Sequence, residues 1–209
     1  MKQFYFLESF SALSHTLTMK YDIILAGVGG QGVLSVASVI AQAAVNEGLE
    51  IRQSEVHGMA QRGGAVLAHL RISDKKIASD LVPKGAADLV ISMEPLESLR
   101  YVSYLKTSGI LVTSSDPYVN IPNYPDLNEI TSAIKRLPRH RLVEAEELAK
   151  KAGLSKTVNT VMVGAASSFL PIKPQSLEKT ITAVFSKKDS SVAQINTKAF
   201  KLGQTAAKG

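Results

Sequence analysis

"YDIILAGVGGQG", residues 21–32, is the stretch on which the fold turns. An apolar run closes on glycine and passes into a glycine-rich turn, the pattern of a buried parallel strand feeding a tight loop. From Gly30 to Asn46 the apolar residues fall at Val33, Val36, Ile40 and Ala43 or Ala44, which is helical spacing. "EGLEIRQSE" (47–55) then reads as a turn and a second strand. Residues 21–55 are therefore a strand–turn–helix–strand unit with glycines in its first turn.

The pattern continues outward from that unit. "AVLAHLRIS" (65–73), "ADLVISM" (87–93), "GILVTSS" (109–115) and "HRLVEAE" (140–146) read as four more strands. Pro95 suits the first turn of a helix over 96–105, a second helix falls at about 128–137, and Gly153 is a natural stop. Residues 116–127 are proline-rich and irregular. The last third changes character, with helical spacing over 156–170, 175–186 and 191–204. This predicts an α/β fold: an open, mainly parallel, Rossmann-like sheet with helices on both faces and a C-terminal helical segment.

With 209 residues, 45% hydrophobic and 20% charged, the chain has the size and balance of one globular domain. Met19-Lys20 stands directly before the first strand, so residues 19–209 are read as that domain and 1–18 as a poorly ordered extension. Glu8 and His15 interrupt the apolar residues of the extension, which makes it a poor signal peptide. No apolar run is long enough for a membrane span, so the expected location is the cytoplasm, with no membrane partner. The net charge is +6, and "KRLPRHR" (135–141) holds a good part of it. No basic stripe is interleaved with aromatics, which argues against nucleic acid. The chain has no cysteine, which excludes disulfides, cysteine nucleophiles, thiolate zinc and cysteine-ligated clusters within it. It has four histidines, and no metal site is assigned.

Two motifs carry chemistry. "GVGGQG" (27–32) satisfies G-x-G-x-x-G at Gly27, Gly29 and Gly32, between a strand and a helix. Three readings stay open for it: close strand–helix packing, a nicotinamide or flavin dinucleotide, or the phosphate of another ligand on the helix N-terminus. Gly30 adds backbone freedom and Gln31 a side-chain amide. For a dinucleotide, Glu55 ends the second strand where a ribose-binding acid belongs, but it lies further from Gly27 than the usual interval of about 20 residues. "SEVHGMAQRGG" (54–64) is the second motif. Gly58, Gly63 and Gly64 free its backbone, Gln61 and Arg62 are donors, and His57 can move a proton. His57 and Arg62 are the candidates for contact with reacting groups.

"GVGGQGVL" after a strand, followed by "SEVHGMAQRGG" and a strand opening "AVLAHLRI", resembles the gamma-type subunit or domain of 2-oxoacid:ferredoxin oxidoreductases. The "EVHGMAQRGG" form is most similar to that of the indolepyruvate ferredoxin oxidoreductase beta subunit. The resemblance runs from about Lys20 to about Gly203 and takes in "NTVMVGA" (159–165) and "INTKAFKLG" (195–203). It implies a complex that oxidatively decarboxylates a 2-oxo acid to its acyl-CoA and passes the electrons to ferredoxin. Thiamine diphosphate, magnesium and iron–sulfur clusters would then belong to a large partner subunit, because this chain has neither cysteine nor the usual "GDG" thiamine signature. Coenzyme A would be a co-substrate, and this chain would hold no cofactor tightly. The resemblance adds Asn159 to the cofactor-binding candidates Gly27, Gly29, Gly30, Gln31, Gly32, Gly58, Gln61, Gly63 and Gly64. Contact with ferredoxin would be indirect, and the isolated chain is free to pair as a homodimer. The competing readings are a stand-alone NAD(P)- or flavin-binding oxidoreductase and a nucleotide-binding regulatory module.

Overall fold

The computed structural model describes residues 18–57, 63–119, 121–187 and 189–208, so most of the expected N-terminal extension lies outside the described residues. The strands are β1 (Lys20–Val28), β2 (Glu50–His57), β3 (Ala65–Ser73), β4 (Ala87–Ser92), β5 (Leu105–Ser114) and β6 (His140–Val143). The helices are α1 (Val33–Asn46), α2 (Pro95–Arg100), α3 (Leu127–Lys135), α4 (Ala145–Ala152), α5 (Val158–Ala166), α6 (Pro174–Ser186) and α7 (Ser190–Ala206).

The strands form one sheet in the order β2-β3-β1-β4-β5-β6. β1 pairs in parallel with β4, β4 with β5 and β5 with β6, while β3 runs antiparallel to both β1 and β2. β1 is buried on both faces, which is why its sequence is a continuous apolar run. Its side chains alternate between two cores. Ile23 and Leu25 join α1, α5, α6 and α7 on one face, with Ile40, Met162, Leu177 and Phe200. Ile24 joins Val90, Leu111, Ile130 and Ile134 on the other, under α2 and α3. On α1 the buried positions include Val33, Val36, Ile40, Ala43 and Ala44, as its periodicity predicts.

Two elements depart from the expected bounds. The helix opened by Pro95 ends at Arg100, and β5 begins at Leu105. Tertiary packing overrides helical continuation here, because Tyr101, Tyr104 and Leu105 are drawn against the second core. The sixth strand stops at Val143, and α4 starts two residues later with Ala145 buried.

Residues 74–86 strap the second face, held by two side chains of β3. Arg71 pairs with buried Asp22 at 2.8 Å and donates to the carbonyls of Ser79 and Leu81. His69 accepts the Val82 N–H at 3.1 Å through Nδ1.

The C-terminal helices meet at glycine. A Cβ on Gly164 of α5 would stand 2.1 Å from the Phe200 carbonyl oxygen, and one on Gly203 of α7 would stand 2.0 Å from that of Val161. The two backbones are in contact, and no other residue fits at either position. Thr160 of α5 donates to Asn196 of α7 at 2.6 Å within the same buried interface. "NTVMVGA" and "INTKAFKLG" are the two sides of this crossing.

Candidate functional site

β1 feeds α1 on one face of the sheet, and its parallel neighbour β4 feeds α2 on the other. Their C-terminal ends are thus the topological switch point, where open α/β sheets form a crevice. The glycine turn occupies that point.

Three clamps hold the turn. Gln31 accepts the Val28 N–H at 2.8 Å through Oε1 and donates to the Met93 carbonyl at 3.3 Å, tying the turn to the end of β4. Its amide therefore serves the turn itself. Gly29 donates to the Gly64 carbonyl at 2.8 Å and accepts the Gly63 N–H at 3.2 Å. Asn159, opening α5, donates to the Gly32 carbonyl at 3.4 Å. Gly30 and Gly32 have φ of 102° and 77°, a region that favours glycine. A Cβ on Gly32 would meet Asn159 Nδ2 at 2.2 Å, and one on Gly27 would meet Val33 Cγ2 at 2.8 Å.

The structure thus brings together Gly27, Gly29, Gly30, Gln31, Gly32, Gly63, Gly64 and Asn159. The two glycine motifs are one hydrogen-bonded unit, although 33 residues separate Gly30 from Gly63. Gly58, Gln61 and Arg62 lie outside the described residues, as does the side chain of His57.

A hollow of about 240 Å³ opens on the turn, lined by Val28, Gly29, Gly30, Gly32, Val33 and Val66 among others. Among the described residues none that lines it is charged or titratable. Ser35 and Val36 donate to the Gly32 carbonyl, while the amides of Val33 and Leu34 make no backbone bond among the described residues. The hollow can receive a polar or anionic end group, and among the described residues it is lined by no nucleophile, acid or base. It is also below the roughly 300–1,000 Å³ usual for a whole small-molecule ligand.

The dinucleotide reading meets a topological obstacle. It needs the second strand beside the first, yet β3 stands between β1 and β2. Glu55 is therefore displaced by one further strand spacing of about 4.8 Å. Among the described residues no group of three or more His, Cys, Asp or Glu side chains could hold a metal ion, and no helix is long and apolar enough to cross a membrane.

Glu94 is the site residue that sequence reasoning missed. It follows β4, is buried, and accepts the N–H of Glu97 at 2.7 Å and of Tyr118 at 3.3 Å, together with the Tyr124 hydroxyl. It caps α2 and fastens Tyr118 and Tyr124, which follow β5, over the sheet end. Burial, then the bond to Glu94, pushes the Tyr124 phenol well above its ordinary value, so it stays a donor. Glu97 is also raised, chiefly by burial and against the pull of Arg100. An acid before Pro95 was readable as a helix cap. Its hold on a loop 24 and 30 residues away was not.

Residues 22–206 match the pyruvate ferredoxin/flavodoxin oxidoreductase family, and the chain belongs to it. Within that family it is 37% identical over 197 residues to indolepyruvate oxidoreductase subunit IorB of Pyrococcus horikoshii, covering 90% of this chain and 96% of that one. IorB of Methanothermobacter thermautotrophicus is 38% identical over 196 residues, covering 90% and 98%. Among solved structures, the keto/oxoacid ferredoxin oxidoreductase gamma subunit of Geobacter sulfurreducens has the same fold, with a TM-score of 0.69 at 24% identity over 91% of this chain and 97% of that one. A 2-oxoglutarate:ferredoxin oxidoreductase of Magnetococcus marinus, solved with 2-oxoglutarate, coenzyme A and succinyl-CoA bound, gives 0.72 at 23% identity. The match covers 90% of this chain, which spans 31% of that longer one. The family resemblance read from the two glycine motifs and the two late segments is borne out.

Proposed function

We propose that this chain is the cluster-free subunit of an indolepyruvate-type 2-oxoacid:ferredoxin oxidoreductase. The complex converts an arylpyruvate to its acyl-CoA in the cytoplasm and passes the electrons to ferredoxin. Thiamine diphosphate, magnesium and iron–sulfur clusters on a large partner subunit supply the decarboxylation and electron transfer. Residues 19–209 form the working domain, and a homodimer is the state open to it without its partner.

The observation that carries this reading is the match to IorB over nearly its whole length. The geometry supports a division of labour. Among the described residues the glycine-turn hollow presents backbone and apolar side chains, which supports a binding and positioning role for this chain. The turn presents the amides of Val33 and Leu34, and its bonds to Gly63 and Gly64 fix one end of the "EVHGMAQRGG" loop beside it. His57, Gln61 and Arg62 in that loop supply the polar contact to coenzyme A, substrate or partner. Val56, Tyr118 and Val119 are exposed at the same end of the sheet and offer the partner an apolar surface.

Reconstitution with the large subunit tests this. The complex should reduce ferredoxin with indolepyruvate and coenzyme A, and no turnover from an assembled complex on any 2-oxo acid would overturn the reading. Arg62→Lys keeps the charge and loses the planar fork, so it should lower the rate or the coenzyme A affinity while the chain stays folded. Arg62→Ala should cost more, about 2–5 kcal/mol if it strands a desolvated anion. Wild-type kinetics in both variants and in His57→Ala would reduce the loop to scaffold.

A further inference from the structure

At the opposite end of the sheet, the first residues of β1, β4 and β5 surround a second hollow of about 350 Å³. Tyr21 lies near the start of β1 and Val28 closes it, so at 3.3 Å per residue the two hollows stand roughly 23 Å apart.

An irregularity in β5 builds the polar wall. Ala87 pairs with Leu105 and Leu89 with Ile110, so β5 advances five residues while β4 advances two. The bulge depends on glycine. A Cβ on Gly109 would stand 2.8 Å from the Ala87 carbonyl oxygen and 3.0 Å from that of Lys106. Bulges re-aim side chains, and here Lys106 and Ser108 both line the hollow. Arg139, just before β6, lines it as well. It donates to the Ser108 carbonyl and has no carboxylate partner among the described residues.

The charges do not cancel. Lys106 pairs with Asp88, which also accepts the Asp22 N–H at 2.8 Å. Asp88 is thereby neutralised, and Arg139 remains uncompensated. The Tyr21 hydroxyl donates to the Phe169 carbonyl, and burial, followed by the nearby Asp88, keeps that phenol protonated. Phe169 and Ile110 supply apolar wall. The run "KRLPRHR" (135–141), which the glycine-turn reading leaves without a role, adds its field to the same edge.

We propose that this hollow is a binding site for a small oxoanion, a phosphate or a carboxylate, received by the Arg139 fork with Lys106 and the Ser108 hydroxyl beside it. Its volume is at the low end of ligand pockets, which favours a small anion over a nucleotide.

The test is an amide NMR titration of the full-length, ¹⁵N-labelled chain. Sodium phosphate and sodium malonate are added separately at an ionic strength held constant with chloride. Saturable shifts are expected at Tyr21, Lys106–Ile110 and Arg139 for at least one anion, and the tighter of the two identifies the group. Arg139→Gln should weaken binding at least about fivefold and Arg139→Lys by less, since lysine keeps charge without the fork. Ser108→Ala, a milder change, should weaken it about two- to threefold. Lys198→Gln, on the exposed side of α7, should leave it unchanged. Shifts that do not saturate, or that Lys198→Gln reduces as much as Arg139→Gln, mean charge screening and overturn the site. Shifts confined to Gly30–Leu34 place the anion on the glycine turn and overturn it equally.

Discussion

Gly32 meets two constraints at once. Its φ of 77° lies where a Cβ is strained, and Asn159 Nδ2 occupies the place a Cβ would take. Gly32→Ala should lower stability by about 1–3 kcal/mol, combining left-handed strain with a displaced side chain. Asn159→Ala removes only a long hydrogen bond and should cost about 1 kcal/mol or less. Because the alanine methyl and the asparagine amide compete for one space, the double variant should be more stable than the sum predicts by about 0.5 kcal/mol or more. Denaturant unfolding of the three variants measures this, and strict additivity would show that the contact is absent. At this scale the sequence was informative for Gly27, Gly29 and Gly32, because a turn motif carries its own geometry. It was silent on the hold of Glu94 on Tyr118 and Tyr124, which depends on partners far along the chain.

Among elements, the 74–86 strap depends on the protonation of His69. Its Nδ1 accepts the Val82 N–H, so the ring must be neutral. Burial lowers its pKa below the ordinary 6.5; Asp80 opposes this and Arg71 adds to it. As pH falls below about 6.5 the unfolded chain takes up the proton before the folded chain does. The contribution is therefore whole above the ordinary value and is lost as pH falls from there through the lowered folded value. Unfolding free energies of the wild type and His69→Gln, compared from pH 7.5 to 5, should converge toward low pH. Parallel curves would show that His69 does not titrate with folding. Periodicity found all six strands, because each is a local pattern of apolar residues. It could not order them. Nothing in "AVLAHLRIS" says that β3 enters between β1 and β2 and runs antiparallel to both. The bulge at Lys106–Gly109 was equally hidden, since it exists only relative to β4.

For the whole molecule, the absence of cysteine sets the strongest expectation. The chain purified alone should be colourless above 320 nm and should not reduce a viologen dye with any 2-oxo acid. Absorbance and a dye assay check this, and turnover without a partner would place a reacting centre in this chain. The family was legible because two motifs and two later segments occur in order, and the structure gives those segments a physical reason. Gly164 and Gly203 are where α5 and α7 touch backbone to backbone. What one chain cannot encode is the surface it meets, so the partner entered through likeness rather than through geometry.

The paired bonds between Gly29 and the Gly63-Gly64 end of the loop bear on chain continuity. β2 is laced to β3 along its whole length, β3 to β1, and the loop end to the glycine turn. The covalent link across residues 58–62 is thus not what keeps the hairpin in place. A protease site spliced in there, once cut, should give two fragments that still elute as one particle, and new chain ends opened at that point should leave the fold intact.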